Sequence, residues 1–387
     1  FLMIRRPPRS TQSSSSAASD VYKRQPQLPS RDPKQSSRAG GGGAAEETCE
    51  LTFAHRAGDD ADITNLKFNA DGTKLFTVYN TKASGDYSHV SEYNLSTPFD
   101  ISTRTYAGDD ERCILNSSDT TTGPVSFVFD LEFSNDGTKL FVGRGANTDG
   151  EDHDRVFRFD LTSPYDISTC SFVNQTSSLD SNPLQNGSNA GAVDTSGKGE
   201  VRLQGLEIND DGTKLFTIFH STQSAKPNTR LLEYQLSTPY DLTTISLVTN
   251  AGMELEEEVS NPKGMRFSSN GKRIWAVNHT NLVQSVTQIS LDVAYSTSSF
   301  TIDGTVLIEN LGGTNMFDEP TGIAFSAAGL KMYLGTDRVN EGDTNADRIN
   351  EIDLVCPFNI IKGKCPPITD NKDRTAMTEA QIEIAKR

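Results

Sequence analysis

Leu66-Lys67-Phe68-Asn69-Ala70-Asp71-Gly72-Thr73-Lys74-Leu75-Phe76 reads as two short apolar runs around an Asp-Gly pair. Leu66 and Phe68 alternate with Lys67, as a half-buried strand requires. Gly72 supplies the positive φ of a tight turn at no steric cost, and Asp tolerates the position beside it. Alone, the stretch predicts one hairpin.

It is not alone. Leu131-Glu132-Phe133-Ser134-Asn135-Asp136-Gly137-Thr138-Lys139-Leu140-Phe141 repeats it almost letter for letter. A third copy runs from Leu206 through Asp211-Gly212 to Phe216, and a fourth, Met265 to Trp275, turns on Asn270-Gly271. The fifth, Ile323 to Tyr333, keeps only Gly329 of the turn pair.

Downstream of each hairpin comes a second module. Glu92-Tyr93-Asn94-Leu95 leads into Ser96-Thr97-Pro98-Phe99-Asp100, Arg158-Phe159-Asp160-Leu161 into Thr162-Ser163-Pro164-Tyr165-Asp166, and Glu233-Tyr234-Gln235-Leu236 into Ser237-Thr238-Pro239-Tyr240-Asp241. The copy at Leu291 is degraded, and Pro357-Phe358 keeps the Pro-aromatic pair. Pro fixes φ where a third strand stops, and Asp closes an Asx-turn into a fourth.

The turn glycines lie 65, 75, 59 and 58 residues apart. That period holds four strands with generous loops, and no helical pattern interrupts it. Units of this kind bury both sheet faces only against neighbours, which predicts an all-β β-propeller of about five four-stranded blades. After the fifth hairpin only a third strand, Arg348 to Leu354, remains, whereas Cys49 to Ala54 is a spare strand before the first. The N-terminal strand is therefore expected to complete the last blade and remove two exposed edges.

The hairpin and its Pro-aromatic corner resemble the propeller repeats of bacterial autotransporter-type surface proteins, and more loosely lactonase-like propellers. The likeness covers residues 48–361. Cys356 to Pro366, followed by Asp373 to Lys386, resembles the segment that leaves such propellers, which implies a helical linker toward a translocator. Residues 362–387 are accordingly read as a linker and the start of a truncated helix, with Thr378 and Gln381 placed as a capping box. Phe1 to Gln25 resembles translated sequencing-adapter sequence. With the Pro/Ser/Gly-rich stretch after it, it makes 1–47 an artefactual or disordered leader that carries no hydrophobic period. The sequence is thus read as a fragment whose export signal is missing.

A net charge of −16 argues against nucleic acid or anionic lipid as partner. No run approaches the roughly 20 apolar residues of a membrane helix. Among five cysteines, Cys356 and Cys365 flank a turn-like stretch and are expected to form a disulfide that stabilises by about 2–3 kcal/mol. Cys113 and Cys170 form a candidate second bridge. Cys49 is then left over, or reaches Cys356 instead. Disulfides accord with an extracellular or outer-surface location.

Three candidate sites follow. At the middle of each first strand stand Lys67, Glu132, Glu207, Arg266 and Ala324. First strands line a propeller's axis, so the four charged side chains are expected to converge there as a salt-bridge belt or as a metal or substrate site. The loops holding Asp149, Asp152 and Asp154, and Asp343, Asn345 and Asp347, are oxygen-rich, and Ca²⁺ takes about six to eight oxygens. Solvated loops whose Asp154 and Asp347 pair with Arg155 and Arg348, or cap the turn, are the plainer expectation. No other cofactor is indicated. The five histidines fall at unrelated repeat positions, with His220 and His279 both ending second strands.

The leading functional expectation is a non-catalytic binding or display module. Its rim loops, such as Asn174 to Leu203, meet a protein or glycan. A lactonase-like, metal-dependent hydrolase using Glu132 and Glu207, and a structural spacer, are the alternatives.

Overall fold

The computed structural model describes residues 49–52, 61–81, 88–116, 125, 127–145, 154–179, 201–221, 228–248, 251–280, 284–308, 319–337, 348–354 and 356–361. All lie in one unit, Ala45–Arg387. The leader and the C-terminal segment fall outside them.

The described strands form five antiparallel sheets in chain order around a closed ring. Blade one is Ala61–Phe68, Lys74–Thr81, His89–Leu95 and Arg104–Tyr106. Blade two is Val128–Phe133, Lys139–Arg144, Arg155–Asp160 and Ser171–Gln175. Blade three is Val201–Ile208, Lys214–Ser221, Asn228–Leu236 and Ile245–Leu247, and blade four is Pro262–Phe267, Arg273–His279, Gln284–Leu291 and Phe300–Leu307. Blade five takes Glu319–Phe325, Lys331–Asp337 and Arg348–Asp353 from the end of the chain and Cys49–Thr52 from its start. The closing strand pairs Cys49 with Glu351 and Thr52 with Arg348, as the unpaired sequences at both ends had implied.

Two blades depart from four strands. In blades one and three the fourth strand is three residues long. The chain then turns at Gly108 (φ 122°) or Gly252 (φ 145°) and returns as Cys113–Ile114 or Met253–Glu254 against the other half of the third strand. Two short pieces fill the place of one long strand.

Each apolar core is shared between successive blades. Phe76 and Val78 of blade one meet Leu131 and Phe133 of blade two. Trp275 of blade four is fully buried against blade five, its ring centroid 4.2 Å from that of Phe325. The last and first blades meet in the same way, through Tyr333, Ile349, Leu66 and Phe68. No blade shelters its faces alone, and that makes the ring cooperative.

The repeated sequence grammar has a mechanical meaning. Phe99, Tyr165, Tyr240, Tyr295 and Phe358 all adopt φ between 53° and 62°, costly for an L-residue. Each is held by the hairpin turn of its own blade: the Tyr240 amide donates to the Gly212 carbonyl at 2.8 Å and its ring lies across that glycine. A Cβ on Gly212, itself at φ 71°, would fall 2.4 Å from the ring. Glycine is therefore needed twice over, for φ and for space.

The corner carbonyl then accepts a donor from the preceding blade. Lys74 Nζ reaches Tyr165 at 3.0 Å, Arg158 reaches Tyr240 at 3.1 Å, Lys214 reaches Tyr295 at 2.7 Å and Arg273 reaches Phe358 at 3.0 Å. Across the closing seam, Tyr333 donates to Phe99. The degraded corner at Leu291 keeps the clasp because Tyr295 supplies both aromatic ring and carbonyl.

Candidate functional site

Every first strand carries a bulge at the same place. Register shifts between Ile63 and Asn65, Val128 and Asp130, Leu203 and Gly205, Pro262 and Gly264, and Pro320 and Gly322. A bulge bends the strand and re-aims the side chains beside it. Asn65 and Asp130 follow their bulges and are fully buried among the axial groups. The corresponding glycines of the other blades leave them room: a Cβ on Gly322 would sit 2.5 Å from Asn65 Oδ1.

The four charged residues expected at the axis do meet there. Arg266 is the hub. Its guanidinium donates to Glu132 at 2.9 Å, Glu207 at 3.3 Å, Asp130 at 3.2 Å and Asn65 at 3.2 Å. Its Nε donates to the Ile323 carbonyl at 3.0 Å. Lys67 donates to Glu132 and lies 3.6 Å from Glu207. Glu132 also accepts the Phe133 amide at 2.9 Å, and Glu207 accepts the Phe267 amide at 3.3 Å.

Asp130 changes the charge balance. The sequence reading counted two acids against two bases, whereas the structure holds three acids against two. Burial, then the Glu132 charge, pushes Glu207 up to about 8, so it keeps its proton at neutral pH. Burial alone would raise Glu132 too, but the Lys67 and Arg266 cations hold it below the usual carboxylate range. The two carboxyls hydrogen-bond to each other. Burial raises Asp130 to about 6, opposed by Arg266. With Glu207 protonated, the cluster is neutral: Asp130 and Glu132 balance Lys67 and Arg266.

Above this floor opens a funnel of about 260 Å³, on the face where the hairpins turn. Phe68, Phe133, Phe267 and Phe325 end the first strands and form its walls with Tyr165 and Tyr295. Ala70, Asn135, Asp210, Ser269 and Ala327 stand on its rim. Lys67 is the most accessible charge of the floor, its side chain 21% exposed against 5% for Glu132 and 9% for Glu207.

At the other end of the axis His220 and His279 end adjacent second strands, where the sequence placed them. Burial, with the nearby Lys263 and Arg202 cations, pushes His220 down to about 4. Burial also lowers His279, whose Nδ1 lies 3.6 Å from Glu319. Both are neutral at pH 7.

The acidic loops fare differently. Asp149, Asp152, Asp343, Asn345 and Asp347 lie outside the described residues. Asp154 is fully buried, which overturns its placement on a solvated loop. Its carboxylate accepts the Leu203 amide of blade three at 3.1 Å, while Arg155 donates to the Thr176 carbonyl at 3.1 Å. It is a staple between blades. Among the described residues no cluster of three or more His, Cys, Asp or Glu side chains is disposed to hold a metal.

Cys113 and Cys170 form a disulfide across 57 residues. It ties the returning strand of blade one to the corner of blade two. Cys356 is also disulfide-bonded, but its partner, and with it the Cys356–Cys365 pairing, lies outside the described side chains. No described helix is long and apolar enough to cross a membrane.

No protein-family model and no curated protein matches the chain. Among solved structures it is similar to a protein from Lactobacillus plantarum at 11% identity and TM-score 0.37, covering 66% of this chain and 58% of that one. A thermostable family-43 glycoside hydrolase matches at 12% identity and TM-score 0.46, covering 82% and 98%. The β-propeller domain of Myceliophteria thermophila Swd1 matches at 11% identity and TM-score 0.35, covering 79% and 100%. Likeness this distant carries no functional inference, and the fold rests on the strand pairing itself.

Proposed function

We propose that this chain is a non-catalytic binding domain of a secreted or surface-attached protein, with its ligand seated in the axial funnel. One observation carries the reading: a depression of about 260 Å³ with aromatic walls over a polar floor, at the point where all five blades converge. A concave, largely apolar site with a few convergent polar groups is the usual form of a ligand pocket. Binding is favoured over catalysis because the floor carboxyls are committed. Arg266, Lys67 and the Phe133 and Phe267 amides occupy their lone pairs. The Cys113–Cys170 disulfide supports an oxidising compartment. The autotransporter-type likeness, the rim loops as a second contact surface, and calcium at the acidic loops remain parts of the proposal to be tested separately.

Blocking the funnel tests it. Ala70 and Ala327 are exposed on the rim, so Ala327→Trp fills the mouth without entering the core. The expected result is loss of binding to a glycan or peptide array with unchanged thermal unfolding. Retained binding would sink the funnel as the seat.

A lactonase-like hydrolase is the second reading. The pairing of protonated Glu207 with ionised Glu132 favours it, since an acid and a base side by side suit general acid–base chemistry. Hydrolysis of a lactone panel with and without Ca²⁺ decides. Turnover abolished by Glu132→Gln or Glu207→Gln would replace the binding reading.

A further inference from the structure

We infer that the outer edge of blade four docks an extended basic peptide of a partner protein, which joins the sheet as a fifth strand. The inference does not rest on the funnel. Phe300–Leu307 is eight residues long, whereas the fourth strand has three residues in blades one and three, five in blade two and four in blade five. Among the described strands it pairs with Gln284–Leu291 alone.

Alternate residues of an antiparallel strand turn their N–H and C=O away from the partner. The Asp292 amide donates to the Ser299 carbonyl at 3.2 Å. Counting back from that bond, Ser290, Gln288 and Val286 face the outer strand, where they meet Thr301, Gly304 and Val306. Phe300, Ile302, Thr305 and Leu307 therefore turn their backbone groups outward. Such a row is a template for another strand, and proteins blunt it with short strands, Lys or Pro. No Lys, Arg or Pro occurs between residues 284 and 308. The guard present is a bulge, in which Asp303 is the extra residue. Its carboxylate accepts from Gln288 at 2.8 Å and Ser290 at 2.7 Å, and pairing is continuous on either side. The edge is bent there but not closed.

Charge selects the peptide. Asp292 is exposed at one end of the edge and Asp303 at its middle. At the other end the Glu258 carbonyl accepts from Thr287 Oγ1 at 3.4 Å, and that oxygen lies 2.9 Å from Thr305 Oγ1, which brings Glu257 and Glu258 to that end. Blade four has four cations. Lys263 pairs with Glu319, and Arg266 with Asp130 at the axis. Arg273 donates to the Phe358 carbonyl at 3.0 Å and Lys272 to the Asp292 carbonyl at 3.1 Å. Of the four only Lys272 reaches the edge, so the acids prevail there. A fifth strand bearing Lys or Arg gains where one bearing Asp or Glu is repelled, and a second copy of the chain brings the same acids. Main-chain hydrogen bonds supply the affinity and alternate side chains the specificity.

The test titrates the full chain at pH 7 and low salt with a labelled peptide alternating Val with Lys and Thr. A second peptide carries Glu in place of Lys, and a third is the basic one N-methylated throughout, without backbone donors. Fluorescence anisotropy reads binding and sedimentation velocity the oligomeric state. The basic peptide is expected to bind and the other two to fail. Thr305→Pro removes one outward N–H and is expected to weaken binding by about three- to tenfold. Glu257→Lys, at an exposed position, is expected to weaken it by about two- to fivefold and keeps the test valid if Thr305→Pro unfolds. Ala327→Trp is expected to change nothing, which separates this edge from the funnel. Equal binding of the N-methylated peptide, or by Thr305→Pro, means that charge alone holds the peptide and overturns the strand. Preference for the acidic peptide, or no binding of either, overturns the proposal. A dimer abolished by Thr305→Pro makes a second copy the occupant and overturns the peptide.

Discussion

Glu132 and Glu207 share one negative charge, and replacing them singly or together exposes the sharing. In Glu207→Gln an amide takes the place of a protonated carboxyl. Its NH₂ donates to Glu132 as the acid did, and its oxygen still faces Arg266 and the Phe267 amide, each 3.3 Å from Glu207 in the parent chain. In Glu132→Gln, Glu207 loses the neighbour whose charge helped keep it protonated. It ionises and takes over the pairing with Arg266 and Lys67. Each single change should cost no more than about 1 kcal/mol, the worth of an ordinary hydrogen bond. The double variant has no such escape, because Asp130 alone then faces two cations. Breaking a buried pair costs about 3–5 kcal/mol. The low end, about 3, is expected because Lys67 can turn toward solvent and fully buried Arg266 cannot. The coupling is thus at least about 1 kcal/mol. Urea unfolding at pH 7, followed by the fluorescence of Trp275, the only tryptophan, measures all four corners. Additivity within about 0.5 kcal/mol, or a Glu132→Gln cost equal to the double, would refute the shared charge.

Three further outcomes are expected. Because the folded-state values of Glu207 and Asp130 are raised, to about 8 and about 6, their contribution to stability is complete below pH 4 and is lost as pH rises through those values. Glu207→Gln should therefore gain on the parent between pH 5 and 8, by at most about 1.4 kcal/mol per unit, and a constant difference in urea midpoints would contradict this. Gly212→Ala forces an L-residue to φ 71° with its Cβ 2.4 Å from the Tyr240 ring. It should destabilise by at least about 1–2 kcal/mol, whereas Ala at exposed Asn135 should change stability by no more than about 0.5 kcal/mol. Reducing Cys113–Cys170, which closes a loop of 57 residues, should cost about 4 kcal/mol, and an unchanged urea midpoint in dithiothreitol would argue that the bond carries no load.

The blades were legible in the sequence because local chemistry writes them. Asp-Gly at a tight turn and Pro-aromatic-Asp at a corner answer to backbone sterics within a few residues, so five copies declare themselves without tertiary information. Ring closure was legible from a surplus strand at one end and a missing one at the other. The axial cluster was half legible. Lys67, Glu132, Glu207 and Arg266 follow from the middle position of each first strand. Asn65 and Asp130 stand two residues earlier on the same face, just after their bulges, but only these two blades carry a polar side chain there, so no repeat pattern announces them. Three glycines at the equivalent places, Gly205, Gly264 and Gly322, were the available signal that something bulky from another blade fills that space. Asp154 was misread for a related reason. An acid at the end of an acidic loop looks solvated until the first strand of the next blade places the Leu203 amide against it.

The most direct test of the account is amide hydrogen exchange along Arg348–Asp353, with and without residues 49–52. In the intact chain these amides should exchange only with global unfolding, because Lys331–Thr336 pairs along one edge of the strand and Cys49–Thr52 seals Arg348–Glu351 along the other. Deleting the four residues should drop the amides of Arg348–Glu351 that face Cys49–Thr52 into local fraying, while the amides of blade three keep their protection. Fast exchange along Arg348–Asp353 in the intact chain, unchanged by the deletion, would mean that the ring is not closed by its own N-terminal strand.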